Sequence, residues 1–200
     1  MQEIKDRLSL VDEVGAHRIS TSVQIFDVEL VFLQVRKCLE LIAFASLIAN
    51  KDKYSAAFAN FASHWKAKQM LECIEKLNPD FYPVPVEPPK VLDNGVKRLD
   101  LVPDGFLKRA EFVTLYDKSS EILHSRNPFT VKDPVVKLGY STKEWVTRIN
   151  CLLKLHVTHL VDGSVWVIEI PTDGPVRGYN GEPRAIAAAD NSESTFEIPG

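Results

Sequence analysis

Residues 24–49, QIFDVELVFLQVRKCLELIAFASLIA, contain the most apolar stretch of the chain and decide its fold. Apolar side chains recur at helical spacing on several faces, which predicts a helix that is buried on more than one side. Its most apolar part, residues 28–49, is interrupted by four charged residues: Glu29, Arg36, Lys37 and Glu40. Each would cost about 2.5–3.5 kcal/mol near the centre of a bilayer. We therefore expect the central helix of a bundle and no membrane span.

Further helices are predicted on both sides of this stretch, because apolar residues recur there at spacings of three and four. The patterns cover residues 2–19, 55–77, 107–124 and about 143–160. Asn78-Pro79 ends the third helix. Ser141-x-x-Glu144 is a capping box that begins the fifth. The predicted fold is mainly α, a four- or five-helix bundle.

A proline-rich connector, residues 79–105, separates the third and fourth helices. Its prolines in DFYPVPVEPPK exclude both helix and central strand, so an extended path across the surface is expected. Asn94-Gly95 lies between two short alternating runs, which predicts a small hairpin at this point.

The pattern changes to β structure after residue 163. The apolar run over residues 165–170 is typical of a strand, and a turn sequence follows it. We expect a helical bundle over residues 1–162, including the connector. A β-rich appendage over residues 163–200 is then expected to hold a short C-terminal β-hairpin.

The composition excludes several classes of protein. The 24 basic and 27 acidic residues give a net charge of −3, which provides no overall attraction to nucleic acid or to an anionic membrane. The three cysteines lack the paired spacing of a disulfide framework or a zinc site. The charged N-terminus has no apolar region of the signal-peptide type. We expect a cytoplasmic protein without membrane contact.

Recognisable cofactor and metal motifs do not occur in the sequence: there is no P-loop, no G-x-G-x-x-G, no G-x-S-x-G and no H-E-x-x-H. His156 and His159 stand three residues apart in the predicted fifth helix, a spacing that lets two imidazoles share a metal. Asp162 is the one further ligand nearby. We interpret the pair as a polar edge of the core and predict no cofactor and no metal site.

The segment LHSRNPF, residues 123–129, brings together an imidazole, a hydroxyl, a guanidinium and an amide at the end of the fourth helix. Arg126 suits phosphate binding, and His124 suits proton transfer near neutral pH. His124, Arg126 and Asn127 are therefore the candidate catalytic residues. The alternative is a helix stop, which we favour, because histidine is stabilised at a helix C-terminus and Asn-Pro breaks helices.

Arg36-x-x-Leu39-Glu40, within its buried apolar helix, resembles the first core helix of HEPN-type helical bundles. The polar turn after the fourth helix is also similar to these domains, and to bacterial helical proteins with an L-H-x-R-N-P-F turn. The resemblance extends loosely over residues 24–125. It implies a domain that dimerises and that, in many members, cleaves RNA in toxin or defence systems.

The HEPN nuclease signature is an arginine, a polar residue, three to five further residues and then a histidine. In this chain His124 precedes Arg126 and Asn127, and no histidine follows at that distance. The resemblance therefore implies a non-catalytic or degenerate HEPN-like module that acts through protein contacts. The alternatives are an RNA-binding or RNA-cleaving HEPN-like protein that uses these three residues, and a small-molecule-binding regulator.

Two structural expectations follow for the central helix. Arg36 and Glu40 are four residues apart in apolar surroundings, and buried charges persist when they are paired. We therefore expect at least one buried or half-buried ionic contact. The helix also carries more apolar surface than one packing face needs, which predicts a two-fold homodimer, with another protein partner as the alternative.

Overall fold

The computed structural model describes residues 1–48, 67–93, 97–124, 136–171, 174–181, 184–186 and 195–198. The helices in these residues are α1 (Gln2–Gly15), α2 (Gln24–Ile48), α3 (Ala67–Leu77), α4 (Arg109–Leu123) and α5 (Thr142–Lys154). The strands are β1 (Val84–Pro85), β2 (Lys90–Val91), β3 (Lys97–Leu99), β4 (Leu155–His159), β5 (Val165–Glu169), β6 (Arg177–Gly181), β7 (Arg184–Ile186) and β8 (Thr195–Ile198).

The fold is mixed α/β, so the predicted helical bundle with one short hairpin was wrong. The described strands form two antiparallel sheets, with the orders β1-β4-β5-β6 and β2-β3-β8-β7. Most of these strands are short, and two of the pairings, β1 with β4 and β3 with β8, join segments that are distant in sequence. Local periodicity does not reveal such pairs, because a strand is stabilised chiefly by its cross-strand neighbours.

The helical layer is organised around α2, which packs against α1, α3 and α4. Its buried apolar side chains follow helical spacing: Val31, Phe32, Val35, Cys38, Leu39, Ile42 and Ala43. α1 covers part of this face with Ile4, Leu8, Val11 and Val14. α1 ends before the predicted residue 19, because His17 adopts a φ of 56°, a left-handed conformation that a right-handed helix does not contain.

α5 begins as predicted and ends earlier than predicted. The Ser141 side chain accepts a hydrogen bond from the backbone N–H of Glu144 at 3.2 Å, which confirms the N-cap. The predicted helix over about 143–160 was wrong beyond Lys154, where β4 begins. The β-branched residues Val157 and Thr158 favour the extended conformation once β1 and β5 are available as partners.

The proline-rich connector contributes three strands. β1 lies at the edge of the first sheet, the position that Pro85 allows because proline has no N–H to donate to a second neighbour. β2 and β3 pair antiparallel, which confirms the strands of the predicted hairpin. The predicted turn at Asn94-Gly95 lies outside the described residues. Asn78, after α3, donates from Nδ2 to the carbonyl of His159 at 2.8 Å, and so joins the helix end to β4.

His156 is a buried imidazole between the helices and the first sheet. Its Nδ1 lies 3.0 Å from the carbonyl oxygen of Leu153 and therefore carries the hydrogen. Burial lowers the pKa of His156 to about 4, since charging an imidazole away from water is costly. His159 stands three residues further along the same strand and thus on its opposite face. The expected pair of histidines on one helix face was therefore wrong.

We predict that His156 makes the free energy of unfolding depend on pH. The ordinary pKa of 6.5 applies to the unfolded imidazole and about 4 to the folded one, so the unfolded state binds the proton first as pH falls. The stabilisation is complete above pH 6.5 and is lost as pH falls toward 4, by up to about 1.4 kcal/mol per pH unit. His156→Gln should remove this slope in urea-unfolding measurements.

A matched control is His124→Gln, which removes an exposed imidazole. This variant should keep the wild-type slope. If His156→Gln and the wild-type protein lose stability equally over this pH range, the buried imidazole is not the cause.

Candidate functional site

The candidate catalytic turn lies partly within the described structure. His124 is the C-cap residue of α4, its backbone N–H donates to the carbonyl of Ser120 at 3.0 Å, and its side chain is exposed. Arg126 and Asn127 lie outside the described residues. The convergence of these three side chains on one pocket therefore stays a prediction.

Arg36 is the centre of a polar cluster between α2 and α4, which we call the Arg36 cluster. Its Nε donates to Glu40 Oε1 at 3.2 Å. Its terminal nitrogens donate to Ser120 Oγ at 3.0 Å and to the Tyr116 hydroxyl at 3.1 Å. Glu40 also pairs with Lys37, whose Nζ is 2.9 Å from Oε2. These contacts confirm the predicted half-buried ionic contact of Arg36 and Glu40.

Each of the three nitrogens of the Arg36 guanidinium donates one hydrogen bond. The guanidinium lies over the Tyr116 ring as well, with Cζ 4.9 Å from the ring centroid, a cation–π contact. A planar fork that is held by three acceptors and a ring fixes the packing of two helices. The Arg36 cluster therefore joins α2 to α4.

The sequence pattern indicates a contact of Arg36 with Glu40 but does not identify the partners of Arg36 on α4. Tyr116, Ser120 and His124 follow one another at four-residue spacing, which places them on one face of that helix. This polar row was the available signal. It does not reveal which helix it faces, because that depends on tertiary packing.

We predict that Arg36→Met lowers the free energy of unfolding by about 1–3 kcal/mol, because its three acceptors lose a charged donor in a half-buried place. Urea unfolding measures the effect. The matched control is Arg18→Met, whose partner Glu13, at 2.6 Å, is on the exposed surface, so stability should stay unchanged. Equal losses in both variants would show that the Arg36 cluster is an ordinary surface network.

An exposed apolar region covers the first turns of α2 and the loop before it, and we call it the α2 apolar surface. Its large apolar side chains are Ile19, Val23, Ile25, Phe26, Val28 and Leu33. Phe26 is 53% exposed and Leu33 is 40% exposed. Helical spacing places Leu33 on the side of α2 opposite the buried Ile42. Clustered exposed apolar side chains of this kind mark contact surfaces.

Opposite charges flank Leu33 at equal spacing. Glu29 lies four residues before it and Lys37 four residues after it, so all three share one side of α2. Within the described part of the chain, Glu29 forms no ion pair and Lys37 pairs with Glu40 at 2.9 Å. The row of Glu29, Leu33 and Lys37 is self-complementary, because an antiparallel copy of the same row places Glu29 opposite Lys37.

A comparison of the chain with protein-family models, curated proteins and solved structures found no match. Among the described residues, no helix combines the length and the hydropathy that crossing a bilayer requires. The same residues contain no group of three or more His, Cys, Asp or Glu side chains placed to hold a metal ion.

Proposed function

We propose that this chain is a non-catalytic, HEPN-like module that acts through protein contacts, and that its partner is a second copy of itself. The α2 apolar surface, with Leu33 between Glu29 and Lys37, is the observation that carries this proposal. Burying such side chains against a partner removes apolar area from water, which is the main source of association free energy.

The flanking charges favour a second copy over an unrelated partner. When two α2 helices pair antiparallel about a two-fold axis at Leu33, Glu29 of each copy faces Lys37 of the other. Phe26, about two turns from the axis, extends the apolar contact on both sides. An isologous contact of this kind closes at two copies and does not propagate.

The non-catalytic part of the proposal rests on the Arg36 cluster. The residues that resemble the HEPN core helix are Arg36, Leu39 and Glu40. Leu39 is buried, and the two charged side chains are occupied by each other and by α4. We place the module in the cytoplasm, since Cys38, Cys73 and Cys151 are free thiols.

We predict that Leu33→Lys converts the wild-type dimer to a monomer, because it places like charges at the two-fold axis. Sedimentation equilibrium at high micromolar concentration should give the wild type about twice the chain mass of 22.5 kDa. Val91→Lys is the matched control, because Val91 is 70% exposed on β2. This variant should remain dimeric. A wild-type chain that sediments as a monomer would rule out self-association.

Charge reversal tests the antiparallel register. Glu29→Lys should weaken the dimer, because each new lysine faces Lys37 of the other copy. Adding Lys37→Glu to that variant should restore pairing, since the charges are exchanged together. Circular dichroism checks that each variant is folded. A double variant that is weaker than both single variants would contradict this register.

A further inference from the structure

A groove of about 750 Å³ opens where the first sheet, the β2–β3 hairpin and the end of α5 meet. Its apolar wall includes Val86, Leu99 and Val167, which belong to a buried cluster separate from the helical core. Leu155 and the half-exposed Tyr179 add further apolar surface. The volume lies in the range of small-molecule sites, roughly 300–1,000 Å³.

Four charged side chains line this groove: Glu87, Lys97, Lys154 and Glu169. Glu169 is paired with Arg177, at 3.5 Å between Oε2 and Nη1. Within the described residues, Lys97 and Lys154 form no ion pair and Glu87 forms none. Two ammonium groups and one carboxylate therefore surround the apolar wall, which leaves one positive charge in excess.

Lys154 also lines a second groove, of about 660 Å³, between α1 and α5. Cys151 and Pro171 line both grooves as well, so the two adjoin along the last turn of α5. Burial and the nearby charge of Glu87 raise the pKa of the Cys151 thiol. The thiol is therefore neutral near pH 7 and contributes apolar contact and no covalent chemistry.

We propose that the groove between the two sheets binds a small aliphatic monocarboxylate, with its apolar body against Leu155 and Tyr179, over the buried floor of Val86, Leu99 and Val167, and its carboxylate held by Lys97 and Lys154. A monoanion neutralises the single excess positive charge. A cation would meet two ammonium groups, and a dianion would meet Glu87 uncompensated. Binding surfaces of this type combine an apolar cavity with a few charged groups that fix orientation.

Dodecanoate, below its micelle concentration, is the probe, and isothermal titration calorimetry is the measurement. One molecule should bind per chain. Lys97→Gln and Lys154→Gln should each weaken binding about tenfold, since each removes a charge-assisted hydrogen bond. Lys143→Gln is the matched control: it removes an exposed lysine of α5 that lies outside the groove, and it should leave the affinity unchanged.

Dodecylammonium, which has the same apolar body and the opposite charge, should bind at least about tenfold more weakly than dodecanoate. Equal affinity for the two amphiphiles, full affinity in both lysine variants, or no binding of dodecanoate would each overturn the proposal. Leu33→Lys should retain full dodecanoate affinity, because Leu33 does not line the groove. A failure of the chain to dimerise is thereby distinguished from a failure of the groove to bind dodecanoate.

Discussion

The burial of one side of α2 is the constraint on which the rest of the structure depends. Val35, Leu39 and Ile42 are almost completely removed from water, and α1, α3 and α4 are the elements that cover them. Apolar packing alone is tolerant of small rotations of a helix about its axis. Arg36 removes that tolerance, because a half-buried guanidinium needs acceptors in fixed directions and α4 supplies them through Tyr116 and Ser120.

The strand β4 separates two apolar regions of different size. Successive side chains of a strand point to opposite faces, so His156 and Val157 enter different environments. Ile168, the cross-strand neighbour of His156, packs against the helical core, whereas Val157 and Val167 form the smaller cluster between the sheets. The smaller cluster contains few large side chains. It therefore leaves unfilled the space where the two sheets meet the end of α5, and this space is the groove.

The sequence predicted the helices well because their signal is local. Helical spacing and the Ser141 cap located α2, α4 and the start of α5 from neighbouring residues alone. The end of α5 was not predictable in this way, since Leu153, His156 and Leu160 continue the helical spacing into β4. The deciding interactions are the pairing of Val157 with Val84, which joins distant segments, and its pairing with Val167 in the next strand.

The distinction between local and long-range signals also holds for the candidate site. A charged pair inside an apolar helix is visible in sequence, so Arg36 and Glu40 could be predicted. Their partners Tyr116 and Ser120 could not, because only the packed structure shows which face of α4 meets α2. The exposed position of His124 agrees with the end of the predicted helix, whereas the HEPN-like interpretation remains a proposal that rests on residue pattern.

The α2 apolar surface and the groove have no side chain in common, so the two proposed sites would act independently. Occupation of either one would stabilise the folded chain by mass action, and the free energies of separate sites add. The two sites would be coupled if one element had two conformations and the occupation of either site changed the populations of both. α1 is the natural candidate, since Ile4 and Leu8 contact the helical core and line the adjoining groove. Both side chains are nearly completely buried, and a close-packed helix of this kind holds one arrangement.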